Sequence, residues 1–146
     1  MSTTEVLHNH HKHCDELFAD AEAAALKGDW AAGAAAFAGF RHELLAHFST
    51  EEEVLFPAFE TVTGMTGGPT QMMRFEHAQM RDLLEQMQAA LDQQGRDAFA
   101  GAAETLLMLM QQHNMKEENI LYPMCDRTLA DGVDVAGGLR QRLEKA

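Results

Sequence analysis

Apolar residues recur at three- and four-residue spacing through four long segments of the chain, the pattern by which a helix buries one face. The first segment predicts a helix from about Glu5 to Lys27, stopped by Gly28, with Asp29 placed to cap the next. The second predicts a helix over about Trp30 to Glu60, ending near Thr61-Val62-Thr63-Gly64. The run Thr63 to Pro69, TGMTGGP, holds the densest group of helix breakers and predicts the longest loop. A third helix is predicted from about Pro69 to Gln94, stopped by Gly95, and a fourth, capped by Asp97, to about Asp126. In the tail from Asp131 to Ala146, Val135, Leu139 and Leu143 at fourfold spacing predict a short fifth helix.

The chain repeats itself at an offset of 66 residues. His47-Phe-Ser-Thr-Glu51-Glu52-Glu53-Val54-Leu55-Phe56-Pro57 returns as His113-Asn-Met-Lys-Glu117-Glu118-Asn119-Ile120-Leu121-Tyr122-Pro123. Leu17 and Phe18 match Leu83 and Leu84, and Cys14 matches Met80, so the repeat spans a whole helical hairpin. Two hairpins are too few for a solenoid, and they close naturally into an antiparallel up-down-up-down four-helix bundle. The expected fold class is all-α, one domain over residues 1–146, with the bundle at about 5–126 and a C-terminal tail over 127–146.

Polar residues interrupt the apolar stripes at one height. The second helix points Phe37, Phe40, Leu44, His47, Glu51, Val54 or Leu55, and Ala58 inward; the fourth points Phe99, Ala103, Leu106, Met110, His113, Glu117, Ile120 or Leu121, and Met124. Tyr122 is expected to pack its ring near the end of the fourth helix. The third contributes His77 among Met73, Met80, Leu84, Met87 and Leu91. A histidine and a glutamate four residues apart share one helix face, so each motif offers a nitrogen and an oxygen donor to one spot. Buried carboxylates are costly unless a cation compensates them. The first helix offers His10, His11 and His13. His11 is preferred, then His10, then His13, because His11 is the repeat partner of His77 and lies level with His47 across the Gly28-Asp29 turn. The expected metal site is therefore His11, His47, Glu51, His77, His113 and Glu117. Imidazole with hard oxygen donors favours two iron ions, and less selectively manganese or zinc.

Composition narrows the partners. Eleven basic against 23 acidic residues give a net charge of −12, which repels nucleic acid and anionic membrane surfaces. No apolar run approaches a membrane span or a signal peptide, and the two cysteines, Cys14 and Cys125, form no disulfide framework. A cytoplasmic protein is expected.

These motifs resemble the hemerythrin-like (HHE cation-binding) family over about residues 7–125. The likeness rests on His11, on H-x3-E-E ending in LFP (His47, Glu51), on the Glu76-His77 pair, and on H-x3-E-E ending in LYP (His113, Glu117). It implies a non-haem di-iron centre that binds dioxygen or changes redox state. The oxygen carriers of that family place a second histidine where this chain has Arg81, and end with a carboxylate five residues after the last histidine, here Glu118, whereas stripe phase favours Glu117. Four histidines with two glutamates resemble the iron-sensing and redox-responsive branch. Asp15 could complete one coordination sphere, and Arg81 could neutralise a nearby glutamate.

The function expected is binding or sensing of dioxygen or a related oxidant, peroxide or nitric oxide, at two irons. The alternatives are a di-iron oxidase or peroxide-decomposing enzyme, and iron storage or iron-level sensing. Whether the protein is an enzyme stays open, and no protein partner is indicated.

Overall fold

The computed structural model describes residues 2–129 and 135–145, and among these it is helical apart from turns and one loop. Helix α1 is Thr3–Leu26, α2 is Trp30–Thr50, and a π-helical turn, Glu51–Leu55, carries α2 directly into α3, Phe56–Thr63. After the loop come α4, Pro69–Asp92, and α5, Arg96–Lys116, which a second π-helical turn, Glu117–Leu121, joins to α6, Tyr122–Thr128; α7 is Val135–Lys145. The start of the expected tail, residues 130–134, lies outside the described residues, as do residues 1 and 146.

Helix ends follow local chemistry. Ser2 caps α1 through Glu5 N–H, Asp29 caps α2 through Ala32 N–H, and Gly28 and Gly64 adopt positive φ at their stops. The cap expected of Asp97 is corrected: Gly95 is the cap, and Asp97 sits inside the first turn of α5, where its charge favours the positive end of the helix. Asp126 receives the backbone N–H groups of Thr3 and Thr4 at 2.8 and 3.2 Å, tying α6 to the start of α1.

Packing runs α1 on α2, α2 on α4, α4 on α5 and α5 on α1, which closes the four-helix bundle. Its apolar interior falls into two clusters. One lies toward the Gly28 and Gly95 turns and includes Phe18, Phe37, Phe40, Met80, Leu84, Phe99 and Leu106. The other lies at the opposite end and includes Leu7, Leu55, Phe56, Phe59, Leu121, Tyr122 and Cys125, covered by Val135, Leu139 and Leu143 of α7. The polar residues of the two repeats lie between them.

The π turns shift the phase of the stripe. Phe56 N–H bonds Glu51 O, and Tyr122 N–H bonds Glu117 O, each spanning five residues where an α-helix spans four. Pro57 and Pro123 follow at once; a proline has no N–H to give, and its ring crowds the carbonyl four residues back, which a wider turn relieves. The Glu52 carbonyl, which Pro57 cannot serve, takes Arg74 Nη1 at 3.3 Å. One extra residue per turn means that Leu55, Phe56 and Phe59 are buried while Val54 and Ala58 are only half-buried. Likewise Leu121, Tyr122 and Cys125 are buried and Ile120 is exposed, so the inward positions expected of Ala58 and Met124 are corrected by one residue each.

Candidate metal centre

Six side chains from the bundle helices and the two π turns meet between the apolar clusters. His11 comes from α1, His47 from α2, His77 from α4, His113 from α5, and Glu51 and Glu117 open the π turns. All six are buried, both glutamates completely. Glu51 Oε1 lies 3.1 Å from His77 Nε2 and 3.5 Å from His47 Nε2. Glu117 Oε1 lies 3.2 Å from His113 Nε2 and 3.3 Å from His11 Nε2. Glu51, His77, His113 and Glu117 form one group able to hold a metal ion, and His11, His47 and Glu117 a second, with Glu117 common to both.

Each imidazole is held from behind. His77 Nδ1 is 2.7 Å from Glu52 Oε2, His11 Nδ1 is 2.6 Å from Glu118 Oε2, and His113 Nδ1 is 2.8 Å from Glu76 Oε1. His47 Nδ1 instead meets His10 Nδ1 at 2.8 Å. His10 is the repeat partner of Glu76, so an imidazole stands where the other copy has a carboxylate. The outer carboxylates are themselves held in turn: Arg81 grips Glu52 with both terminal nitrogens at 2.8 and 2.9 Å, Lys116 pairs with Glu76, and His8 Nδ1 lies 2.7 Å from Glu118 Oε1. Such backing fixes each ring so that Nε2 faces inward, the arrangement by which carboxylates orient histidine ligands around a metal.

The inward side is short of partners. Glu51 Oε1, Glu117 Oε2, His77 Nε2 and His113 Nε2 are buried without a hydrogen bond. Orphaned buried polar atoms are rare, and those near one another with nitrogen and oxygen lone pairs fit a cation. Two donors on one ion at about 2.1 Å stand about 3.0 Å apart at right angles and about 3.4 Å apart at the tetrahedral angle, and the spacings above, 3.1 to 3.5 Å, lie close to that range.

Without a metal, protons take its place. Burial opposes charge on His11 and His77, but the carboxylates beside them, Glu117 and Glu118 for His11 and Glu51 and Glu52 for His77, outweigh it and raise both to about 9. Burial and the neighbouring Glu117 raise Glu51 to about 7, whereas His113, Glu51 and His11 beside it overcome the burial of Glu117 and hold it well below the usual carboxylate range. Glu52 is buried in part, yet His77 and Arg81 bring it down to about 2.

Of the three candidate ligands on α1, His10, His11 and His13, the structure brings only His11 into the cluster. His10 stands one step outside, behind His47, and His13 is half-exposed, 3.5 Å from Glu43 Oε1. Asp15 is exposed and reaches none of the six, and Arg81 neutralises Glu52. The expectation that Tyr122 only packs its ring is corrected: its hydroxyl stands inside the cluster, 2.6 Å from Glu51 Oε2 and 2.8 Å from Glu117 Oε1. Only the phase of the second π turn carries it there, and the Tyr-Pro pair is the one sequence signal of that turn.

The two halves differ in their surroundings. His77 stacks on Phe48 at 4.1 Å and on Phe56 at 5.8 Å, with Arg81 over the first ring and Arg74 over the second. The repeat partners of those four residues are Asn114, Tyr122, Asp15 and His8, and that more polar half opens to a cleft of about 370 Å³ between α1 and α5, which reaches His11.

Among known protein families, residues 2–125 match the Hemerythrin HHE cation binding domain. No curated protein and no solved structure matches the chain. With the match spanning most of the 146 residues, and a buried histidine–glutamate cluster inside a four-helix bundle, the chain belongs to the hemerythrin HHE cation-binding family.

Proposed function

We propose that the chain holds two iron ions between His11, His47, Glu51, His77, His113 and Glu117, and uses the pair to bind or sense a small oxidant: dioxygen, peroxide or nitric oxide. The observation that carries the reading is the convergence of six buried donors, four of whose inward atoms have no other partner. Imidazole and carboxylate together suit iron, with manganese or zinc as less selective fits. Bound iron would supply reversible attachment of the oxidant or a change of oxidation state.

The chain's own residues do the rest. Glu117, common to both donor groups, is placed to bridge them. The outer partners Glu52, Glu76, Glu118 and His10 hold the four rings in register, so that binding costs little rearrangement. Leu44, Met80 and Met110 of the apolar cluster on one side and Leu55, Phe56 and Leu121 on the other exclude water. The cleft beside His11 provides the approach. Among the described residues no helix is long and apolar enough to cross a membrane, and both cysteines are free, in keeping with a protein that works in a reducing aqueous compartment.

Stopped-flow spectra of the reduced, iron-loaded protein mixed with dioxygen, peroxide or nitric oxide test the reading. A rapid spectral change with at least one of them, in proportion to iron, is expected. No reaction with any of the three contradicts it, and sustained consumption far above the iron present would instead make the protein a peroxide-decomposing enzyme or an oxidase.

A further inference from the structure

The two halves of the centre are not equally provided with donors. Glu51, His77, His113 and Glu117 offer four donor atoms within 4.8 Å of one another, whereas His11, His47 and Glu117 offer three. Tyr122 Oη lies 3.2 Å from His11 Nε2, 3.3 Å from His47 Nε2 and 2.8 Å from Glu117 Oε1. The phenol oxygen thus stands beside every member of the poorer group, at the spacing that the other donors keep among themselves.

The internal repeat separates what the ring does from what the hydroxyl does. Phe56 holds the same place in the first copy and stacks on His77 at 5.8 Å, as Tyr122 stacks on His11 at 5.7 Å. Packing therefore needs only the ring, and the hydroxyl is an addition to the half that lacks a fourth donor. Its single proton is shared between two carboxylate oxygens, at 2.6 Å from Glu51 Oε2 and 2.8 Å from Glu117 Oε1, so it satisfies only one of them at a time. A fully buried oxygen among two carboxylate oxygens and two inward imidazole nitrogens, with no second proton to give, is placed as a cation's donor would be.

We infer that Tyr122 Oη is a protein ligand of the metal centre, the fourth donor of the His11, His47 and Glu117 half. The inference rests on reading the cluster as an iron site. On binding, the phenol proton leaves to solvent, as protons leave other ligands that a metal takes up. A phenolate oxygen is a hard donor suited to ferric iron, which tyrosine also ligates in some haem proteins.

Iron content, visible absorption and resonance Raman spectra of the ferric protein and of Tyr122→Phe test this. The substitution copies Phe56 and keeps the ring. Wild-type protein is expected to show a phenolate-to-iron charge-transfer band in the visible and enhanced phenolate ring vibrations; Tyr122→Phe is expected to lose both while retaining iron, and to release it to a chelator about tenfold faster or more. The chain contains one tyrosine. Ring-deuterated tyrosine must therefore shift the wild-type Raman bands, a result that does not depend on how the variant folds. Iron-loaded wild-type protein without these bands, bands indifferent to the label, or bands that survive in Tyr122→Phe would overturn the ligand and leave the iron site standing. Wild-type protein that takes up no iron would remove both.

Discussion

At the scale of single residues, the cluster pairs each inward-facing imidazole with an outward anchor. His77 is the clearest case: Glu52 holds its Nδ1, and Arg81 holds Glu52. Glu52→Gln keeps the shape but weakens the acceptor, so metal affinity should fall about 10- to 100-fold, as it does when such outer partners are lost; competition with a chromogenic chelator measures it. Acidity at the same residues gives a second prediction. His11 and His77 are raised from 6.5 to about 9, so the stability they add to the metal-free protein is complete below pH 6.5 and is lost as pH climbs to 9. Glu51, raised from 4.5 to about 7, adds stability below pH 4.5 that is gone by pH 7. Glu52, lowered from 4.5 to about 2, acts oppositely, its contribution present above pH 4.5 and lost toward pH 2. Metal-free protein should therefore melt at lower temperature at pH 9 than at pH 6. The stabilisation brought by metal should grow over the same range, because metal displaces those protons. Melting curves with and without metal across that range decide it, and a metal-induced increment that shrinks toward pH 9 would contradict the assignment.

At the scale of elements, the two π turns place the chemistry. Each starts at a glutamate of the buried cluster and ends before an aromatic-proline pair, and each rotates the helix beyond it by about 100° relative to an uninterrupted α-helix. Deleting exposed Glu53 takes out the extra residue, so the turn should close to an α-helix with Phe56 and Phe59 still facing the core, at a cost of up to about 3 kcal/mol for the proline now inside a regular helix. Denaturant unfolding followed by circular dichroism measures it; a loss of about 6 kcal/mol or more, the scale of two displaced rings, would mean that the extra residue does not set their phase. These turns also bound what periodicity can reveal. Period and breakers are enough for the long helices and the hairpin repeat, and the coincidence of His47, Glu51, His113 and Glu117 on apolar stripes is enough for the heart of the site. Beyond Glu51 and Glu117 a 3.6-residue period points at Ala58 and Met124, since an inserted residue leaves no mark on composition. For that reason Tyr122 reads as packing. The outer carboxylates Glu52 and Glu118 read from the sequence as groups either on the surface or behind the ligands: they are part-exposed and reach their histidines across helices, a relation that spacing along one helix does not report.

At the scale of the whole molecule, the buried cluster divides the core in two, and the bundle carries a destabilising interior unless something neutralises it. Metal binding to the folded state alone raises stability with metal concentration, so the metal-free protein should melt well below the loaded one. The molecule is also one-sided. Phe48 and Phe56, covered by Arg81 and Arg74, close the His77 half, while Asn114, Asp15 and His8 line the approach to His11. Asn114→Phe, which copies the closed half, should leave metal content unchanged and slow oxidant reaction severalfold; an unchanged rate would place the approach elsewhere. The most direct test of the central claim is elemental analysis of untagged protein made in iron-replete cells, beside His47→Ala and His113→Ala. Close to two irons per chain, sharply reduced in both variants, is the predicted result. Metal absent from the wild type, or bound below one ion per chain and indifferent to both substitutions, would contradict it.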